Sequence, residues 1–215
     1  MLSNNLTKQT FMKTICSLLT ALFLCINMQS QELPRKQRVC FGAGIDIGFF
    51  YPKDVNDYID RELPSGETVF GVNGLYANYG LHTTLGYKIY RNWEFQWLVE
   101  GVMAPKYVTT TIGDYYYDFW RLSTGVLVNF HIPLNAIGKH SIFIGAGPFF
   151  HNMTFKEYNA STIGARFQVG FSINNYKFNP QIYLAGDYAS ANASANGRNL
   201  NLNYSCAKIG VNVNF

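Results

Sequence analysis

The chain has 215 residues, enough for one domain, and its aromatic side chains (16%) outnumber its charged ones (14%), which is unusual for a soluble domain. No stretch reaches the roughly 18 consecutive apolar residues of a membrane-spanning helix, so a helical membrane protein is not expected. The net charge of +4 falls to +2 without residues 1–30, which contain two lysines and no acid, so the composition does not suggest nucleic-acid binding.

The amino terminus has the order of residues found in a secretory signal peptide. Lys8 and Lys13 come first, an apolar run follows from Ile15 to Ile26, and small and polar residues then lead to Ser30. The apolar run has about 12 residues, fewer than a spanning helix needs. We therefore predict export of the protein, with cleavage near Ser30. Met12 is an alternative start.

From Val39 onward the sequence alternates with a period of two residues, as strands with one apolar face do. In the first strand Phe41, Ile45 and Ile47 lie on one face, whereas Asp46 lies on the other face among glycines. The same pattern recurs seven more times. The predicted strands cover residues 39–51, 79–89, 94–103, 120–130, 142–150, 163–173, 178–188 and about 202–215.

The connections between these strands alternate between short and long. Short turns follow the second, fourth and sixth strands. Longer loops are predicted at 52–77, 106–114, 152–160 and 190–201. Transmembrane barrels have this asymmetry, with short periplasmic turns and longer outer loops. The pattern therefore favours an all-β fold, an eight-stranded antiparallel transmembrane β-barrel, over a soluble barrel that encloses a ligand.

The polar faces of the strands carry balanced charges. Eight strands enclose a space that side chains can fill, so opposite charges directed inward can pair across it. The alternative is the solvated face of a soluble protein. The predicted lumen charge network consists of Asp46, Lys88, Glu94, Glu100, Arg121, Arg166, Asp187 and Lys208.

The last strand ends on Phe215, and Val213, Val211 and Ile209 continue on the same face. This resembles the carboxy-terminal signature of bacterial outer-membrane barrels, which their assembly machinery recognises. The chain as a whole resembles the small barrel families typified by the transmembrane domain of OmpA, by OmpX and Ail, and by the PorT-like porin-family proteins. The resemblance covers about residues 39–215 and implies an outer-membrane barrel there, after the signal peptide that the amino terminus predicts over 1–30 and a short periplasmic segment predicted over 31–38.

The resemblance implies a function more weakly than a fold. The first hypothesis is a structural, adhesion or ligand-binding role of a monomeric barrel through outer loops 52–77 and 190–201. The first of these loops is acidic and could bind a basic partner or a divalent cation, or it could simply be hydrated. A narrow porin and an accessory role in secretion or envelope assembly are alternatives. The predicted partners are outer-membrane lipids and the barrel-assembly machinery.

A lipid A-modifying enzyme is the third hypothesis, and it would need a histidine and a serine together at the lipid-facing outer rim. His82 is predicted to point inward, His131 and His140 to lie at the periplasmic turn, and His151 to lie near the outer rim without a serine partner. We therefore predict no enzyme. No metal-ligand spacing and no cofactor motif is recognised. Cys40 and Cys206 are predicted to be two buried thiols, far apart along the barrel.

Overall fold

The computed structural model describes residues 39–63, 76–90, 92–134, 139–174 and 178–215. The predicted signal peptide, the alternative start and the periplasmic segment lie outside these residues. The described part is a closed barrel in which each strand is antiparallel to its neighbours and β8 pairs with β1, so the predicted fold class is confirmed. The elements are β1 (Val39–Phe50), α1 (Lys53–Glu62), β2 (Tyr76–Tyr90), β3 (Trp93–Thr109), β4 (Asp114–Pro133), β5 (His140–Phe155), β6 (Tyr158–Ile173), β7 (Asn179–Ala195) and β8 (Arg198–Asn214).

An exposed apolar belt surrounds the barrel over about half of its length, and the last four strands show its extent. Outward apolar side chains occupy residues 142–150 of β5, 163–173 of β6, 178–188 around β7 and 207–215 around β8, and most of them are exposed. Each run covers roughly 9–11 residues, the length that a tilted strand needs to cross the hydrocarbon core of a bilayer. We call this region the lipid-facing belt.

Above the belt the polarity of both faces inverts. The outward positions of the β5–β6 and β7–β8 hairpins become polar, and their side chains form cross-strand hydrogen bonds such as Thr154 to Asn159 (2.6 Å) and Ser194 to Asn199 (2.6 Å). The inward positions become apolar and are buried, as at Leu202. The barrel therefore continues beyond the membrane with polar, solvent-exposed side chains outside and apolar, buried side chains inside.

Three of the four predicted outer loops are wrong. Residues 106–114, 152–160 and 190–201 are largely strand, and the hairpins close through short turns at 110–113, 156–157 and 196–197. In the last hairpin Asn196 and Gly197 have φ values of 51° and 73°, the positive values that a two-residue hairpin turn requires. The loops were predicted because the outward apolar residues stop, but the strands continue with the opposite polarity.

The fourth predicted loop, 52–77, contains helix α1. Val55, Tyr58 and Ile59 share one face of the helix and are buried in the apolar core of the outer half of the barrel. This spacing of three and four residues is that of an amphipathic helix. The helix therefore closes the end of the barrel that carries the extended hairpins, which corresponds to the extracellular end. Among the described residues, no helix has the length and apolarity to cross a membrane.

A charge placed on the belt should destabilise the barrel far more than the same charge above it. Leu184 is lipid-facing on β7, whereas Asn192 points outward on the same strand above the belt. We expect Leu184→Arg to lower the unfolding free energy by about 2–4 kcal/mol and Asn192→Arg by less than about 1 kcal/mol. Urea unfolding in lipid vesicles measures both variants. Equal losses would argue against a membrane belt.

Candidate functional site

The centre of the lumen holds a cluster of buried ion pairs, which we call the charge cluster. Arg166 of β6 donates through Nε to Asp187 Oδ1 (2.6 Å) and through Nη2 to Glu100 Oε2 (2.7 Å). Lys208 Nζ lies 2.6 Å from Glu100 Oε1 and 2.8 Å from Asp187 Oδ2. Arg121 of β4 pairs with both carboxylates, at 2.9 Å to Asp187 Oδ2. All five side chains are 0% exposed.

The charge cluster is neutral when Asp46 is included. Asp46 lies 3.7 Å from Lys208 Nζ, so three acids face three bases. Charges removed from water are tolerated only when they are paired and hydrogen-bonded. Two of the cations also lie over aromatic rings, Arg121 at 3.9 Å from the ring centre of Tyr204 and Arg166 at 4.6 Å from that of Phe149. The cluster thus closes the lumen with internally compensated charge.

One corner of the cluster has donor groups of the kind that bind metals. Asp46, His82 and Glu100 each offer one ligand atom, and these atoms lie within 4.8 Å of one another. Asp46 Oδ2 is 3.3 Å from His82 Nδ1. The ammonium group of Lys208, however, contacts Glu100 and lies 3.7 Å from Asp46 Oδ1, so a tethered cation already faces these carboxylates. The arrangement fits a salt-bridged corner better than a metal centre.

The other two residues of the predicted network lie apart from the charge cluster. Glu94 is six residues before Glu100 on β3, roughly 20 Å away along the strand. It pairs instead with His131 Nε2 (2.8 Å) and accepts a hydrogen bond from Cys40 (3.2 Å) near the periplasmic end. Lys88 is half-buried, and no ion pair joins it to an acid in the part of the chain that the structure describes.

An amide layer fills the lumen between these two groups. Asn129 donates to Gln96 (3.0 Å), and Gln168 donates to Asn129 (2.9 Å). A small cavity beside this layer, bordered by Gln181 and Asn212, holds about 10 Å³, roughly the space of one water molecule. The residues of this layer lie on the inward faces that the period of two predicts, but their contacts depend on the register of distant strands and are not visible in the sequence.

The interior above the charge cluster is aromatic and ends at α1. The Phe50 ring lies 4.7 Å from that of Tyr204, and Tyr58 of α1 meets Tyr158 edge-on at 5.4 Å between ring centres. Burial raises the pKa of the Tyr58 hydroxyl to about 12, so the side chain is neutral at physiological pH. Lumen layers of different chemistry therefore follow one another from the periplasmic end to α1.

The prediction for His151 is wrong. The residue is fully buried in the lumen, and its Nδ1 lies 2.8 Å from Ser123 Oγ and 3.4 Å from Arg121 Nη1. The strand alternation points both Ser123 and His151 inward, away from lipid. The predicted inward position of His82 is confirmed, and its ring contacts Tyr183 in the lumen. His131 also contacts a lumen residue, Glu94.

The two described cysteines are free and buried, as predicted. Cys206 faces Phe50 across the β1–β8 seam, and Cys40 lies ten residues before Phe50 on β1. Ten residues of strand separate the thiols by roughly 33 Å along the strand direction, which is far beyond the reach of a disulfide.

The end of the last strand completes the β1–β8 seam. Phe215 donates its backbone N–H to the carbonyl of Phe41 (2.7 Å), and its ring meets Phe178 edge-on at 5.7 Å. The Phe215 side chain is 58% exposed on the belt. Val211 and Ile209 share this lipid-facing surface, and Val213 is half-buried beside them. An assembly signal would therefore be presented outward.

Removing one cation from the charge cluster should be far more costly than removing Lys88. Arg166→Met leaves Glu100 and Asp187 with fewer partners in a buried site, so we expect the unfolding free energy to fall by about 3–5 kcal/mol. Lys88→Met, the matched control, should cost less than about 1 kcal/mol. Urea unfolding and heat-modifiable gel migration report the two values. A loss at Arg166 no larger than that at Lys88 would contradict the energetic role of the cluster.

Comparison with known proteins supports the fold. The outer membrane protein OprG from Pseudomonas aeruginosa matches with a TM-score of 0.50 at 12% identity, over 83% of this chain and 96% of that one. Neisserial surface protein A also matches, with a TM-score of 0.49 at 14% identity over 81% of this chain and 97% of that one. Ail of Yersinia pestis matches with a TM-score of 0.40 at 12% identity over 83% of this chain and 100% of that one. No family model and no curated protein matches the sequence. The barrel and its lipid-facing belt together make this chain a small eight-stranded β-barrel of the bacterial outer membrane.

Proposed function

We propose that the protein is a non-conducting outer-membrane barrel that acts as an interaction protein through its extracellular end. The observation that carries this proposal is the filled lumen. From the periplasmic end, the amide layer, the charge cluster and the apolar core under α1 occupy it in succession. A solute would have to displace buried ion pairs and packed aromatic rings, and eight-stranded barrels have little interior space to begin with.

The extracellular end offers a surface for binding, built from two hairpins and α1. The β5–β6 and β7–β8 hairpins are hydrogen-bonded to their tips. On α1 the side chains of Asp54, Asp57 and Asp60 are exposed. These three carboxylates favour a basic partner. Loop 190–201, first predicted as a long outer loop that could bind a partner, contributes a hairpin tip instead, and Glu67 of the acidic loop 52–77 lies outside the described residues.

The catalytic alternative has little support from the geometry. A lipid-modifying enzyme must bring its nucleophile to the acyl or headgroup region of the bilayer. Ser123 and His151 form a hydrogen-bonded pair, but both side chains are buried in the lumen and His151 is also close to Arg121. An enzyme is therefore not proposed, and the narrow-porin alternative is not favoured by the filled lumen.

Planar-bilayer recording tests the closed lumen. We expect the purified barrel in KCl solution to give no discrete conductance steps at moderate voltage, whereas a large porin reconstituted in the same way gives them. Insertion is checked by heat-modifiable migration of the recovered protein. Regular single-channel steps from the wild-type chain would reject the non-conducting part of the proposal.

Binding of a cationic probe tests the acidic surface. We expect polylysine to bind cells that carry the wild-type barrel, and the variant Asp54→Asn/Asp57→Asn/Asp60→Asn to bind it at least about threefold more weakly, because exposed like charges act together in attraction at low salt. The matched control is Asp114→Asn, an exposed acid at the β3–β4 tip. Equal binding of the triple variant and the control would reject α1 as the contact surface.

A further inference from the structure

Helix α1 joins the barrel in a different way from every strand. The strands are held by backbone ladders, whereas α1 packs into the barrel mouth through its side chains. A ten-residue helix is marginal in water without tertiary contacts. Its amino-terminal cap, Pro52, provides no side-chain hydrogen bond. The position of α1 therefore depends on its buried side chains and on the contacts of its carboxyl end, without a backbone ladder.

The carboxyl end of α1 meets two hairpin tips through one residue. Glu62 Oε1 lies 3.1 Å from Arg198 Nη1 at the β7–β8 tip, and Glu62 Oε2 lies 3.9 Å from Lys156 Nζ at the β5–β6 tip. An acid in the last turn of a helix is opposed by the helix dipole. Glu62 is therefore unfavourable for the helix alone and favourable only when these cations are close.

Lys156 connects the ion pair with the aromatic contacts below it. Its ammonium group lies 5.4 Å from the ring centre of Tyr58 and 4.8 Å from that of Tyr117. Lys156 has a φ of 50°, a left-handed conformation that non-glycine residues seldom adopt. The turn thus places a cation between an acid and two rings, where both kinds of contact favour its charge.

We propose that α1 is a reversible lid over the apolar outer lumen, and that Glu62 keeps it closed by bridging Arg198 and Lys156 on two hairpin tips. The inference goes beyond the proposed function, which needs only that the lumen is filled. The side chains of Arg198 and Glu62 are 71% and 34% exposed. Exposed pairs contribute modestly and are screened by salt, so they add a small factor to the closed state, beyond the burial of Val55, Tyr58 and Ile59, and changes in charge or ionic strength can alter that factor.

Hydrogen–deuterium exchange of the barrel in lipid nanodiscs measures lid opening. We expect Glu62→Gln, which keeps the shape and removes the charge, to speed exchange of the α1 amides about fivefold while the strand amides are unchanged. The matched control is Asp60→Asn, which removes an exposed acid of α1 that has no ion pair in the described ranges. It should change exchange less than about twofold.

A double-mutant cycle separates the ion pair from a general charge effect. We expect Arg198→Gln to speed α1 exchange about threefold in the wild-type background and not at all in the Glu62→Gln background, because the pair is already lost there. Salt at 1 M screens exposed ion pairs, so it should speed α1 exchange in the wild type and leave the exchange of Glu62→Gln unchanged. Three results would each overturn the proposal. Arg198→Gln could have equal effects in both backgrounds, or Glu62→Gln and Asp60→Asn could give equal α1 exchange rates. The third result is faster exchange of the strand amides together with the α1 amides.

Discussion

The structure depends on one constraint, which is that charges directed into a closed barrel must be neutralised inside it. Glu100, Asp187 and Arg166 come from β3, β7 and β6, and their pairing needs all three strands in the observed register. A slip of one residue would turn each side chain of a strand to the other face and place its charge in lipid. The cost of burying charge therefore specifies the register as well as filling the lumen.

Two solvents divide the barrel along its axis. Within the belt, lipid requires apolar residues outside and the lumen accepts polar ones. Beyond the belt, water requires polar residues outside, and the interior becomes an apolar core that includes α1. The strands keep their period of two through both regions. Near residues 150–152 of β5 and 188–190 of β7, however, the apolar side chains change from the outward to the inward positions.

This division separates the properties of the two ends. The membrane half is held together by ladders, the charge cluster and the amide layer, all of which resist opening. The extracellular half ends in α1, which shares no backbone ladder with the barrel. Its carboxyl end contacts the hairpin tips through partly exposed ion pairs. Helix α1 therefore lacks the backbone ladder that holds every strand, and binding surfaces are commonly found on less stable elements.

The sequence by itself determined the membrane-spanning half, because lipid demands apolar residues at every second position and this leaves a period visible in one chain. Inward placement of Asp46, Glu100 and Arg166 followed from that period. Which charges meet was decided only by barrel closure, since strand level and register bring Lys208 to Glu100 and place Lys88 opposite Glu94, away from the charge cluster. The extracellular hairpins and the seat of α1 also required the tertiary structure, because the inverted polarity there depends on a core assembled from distant strands.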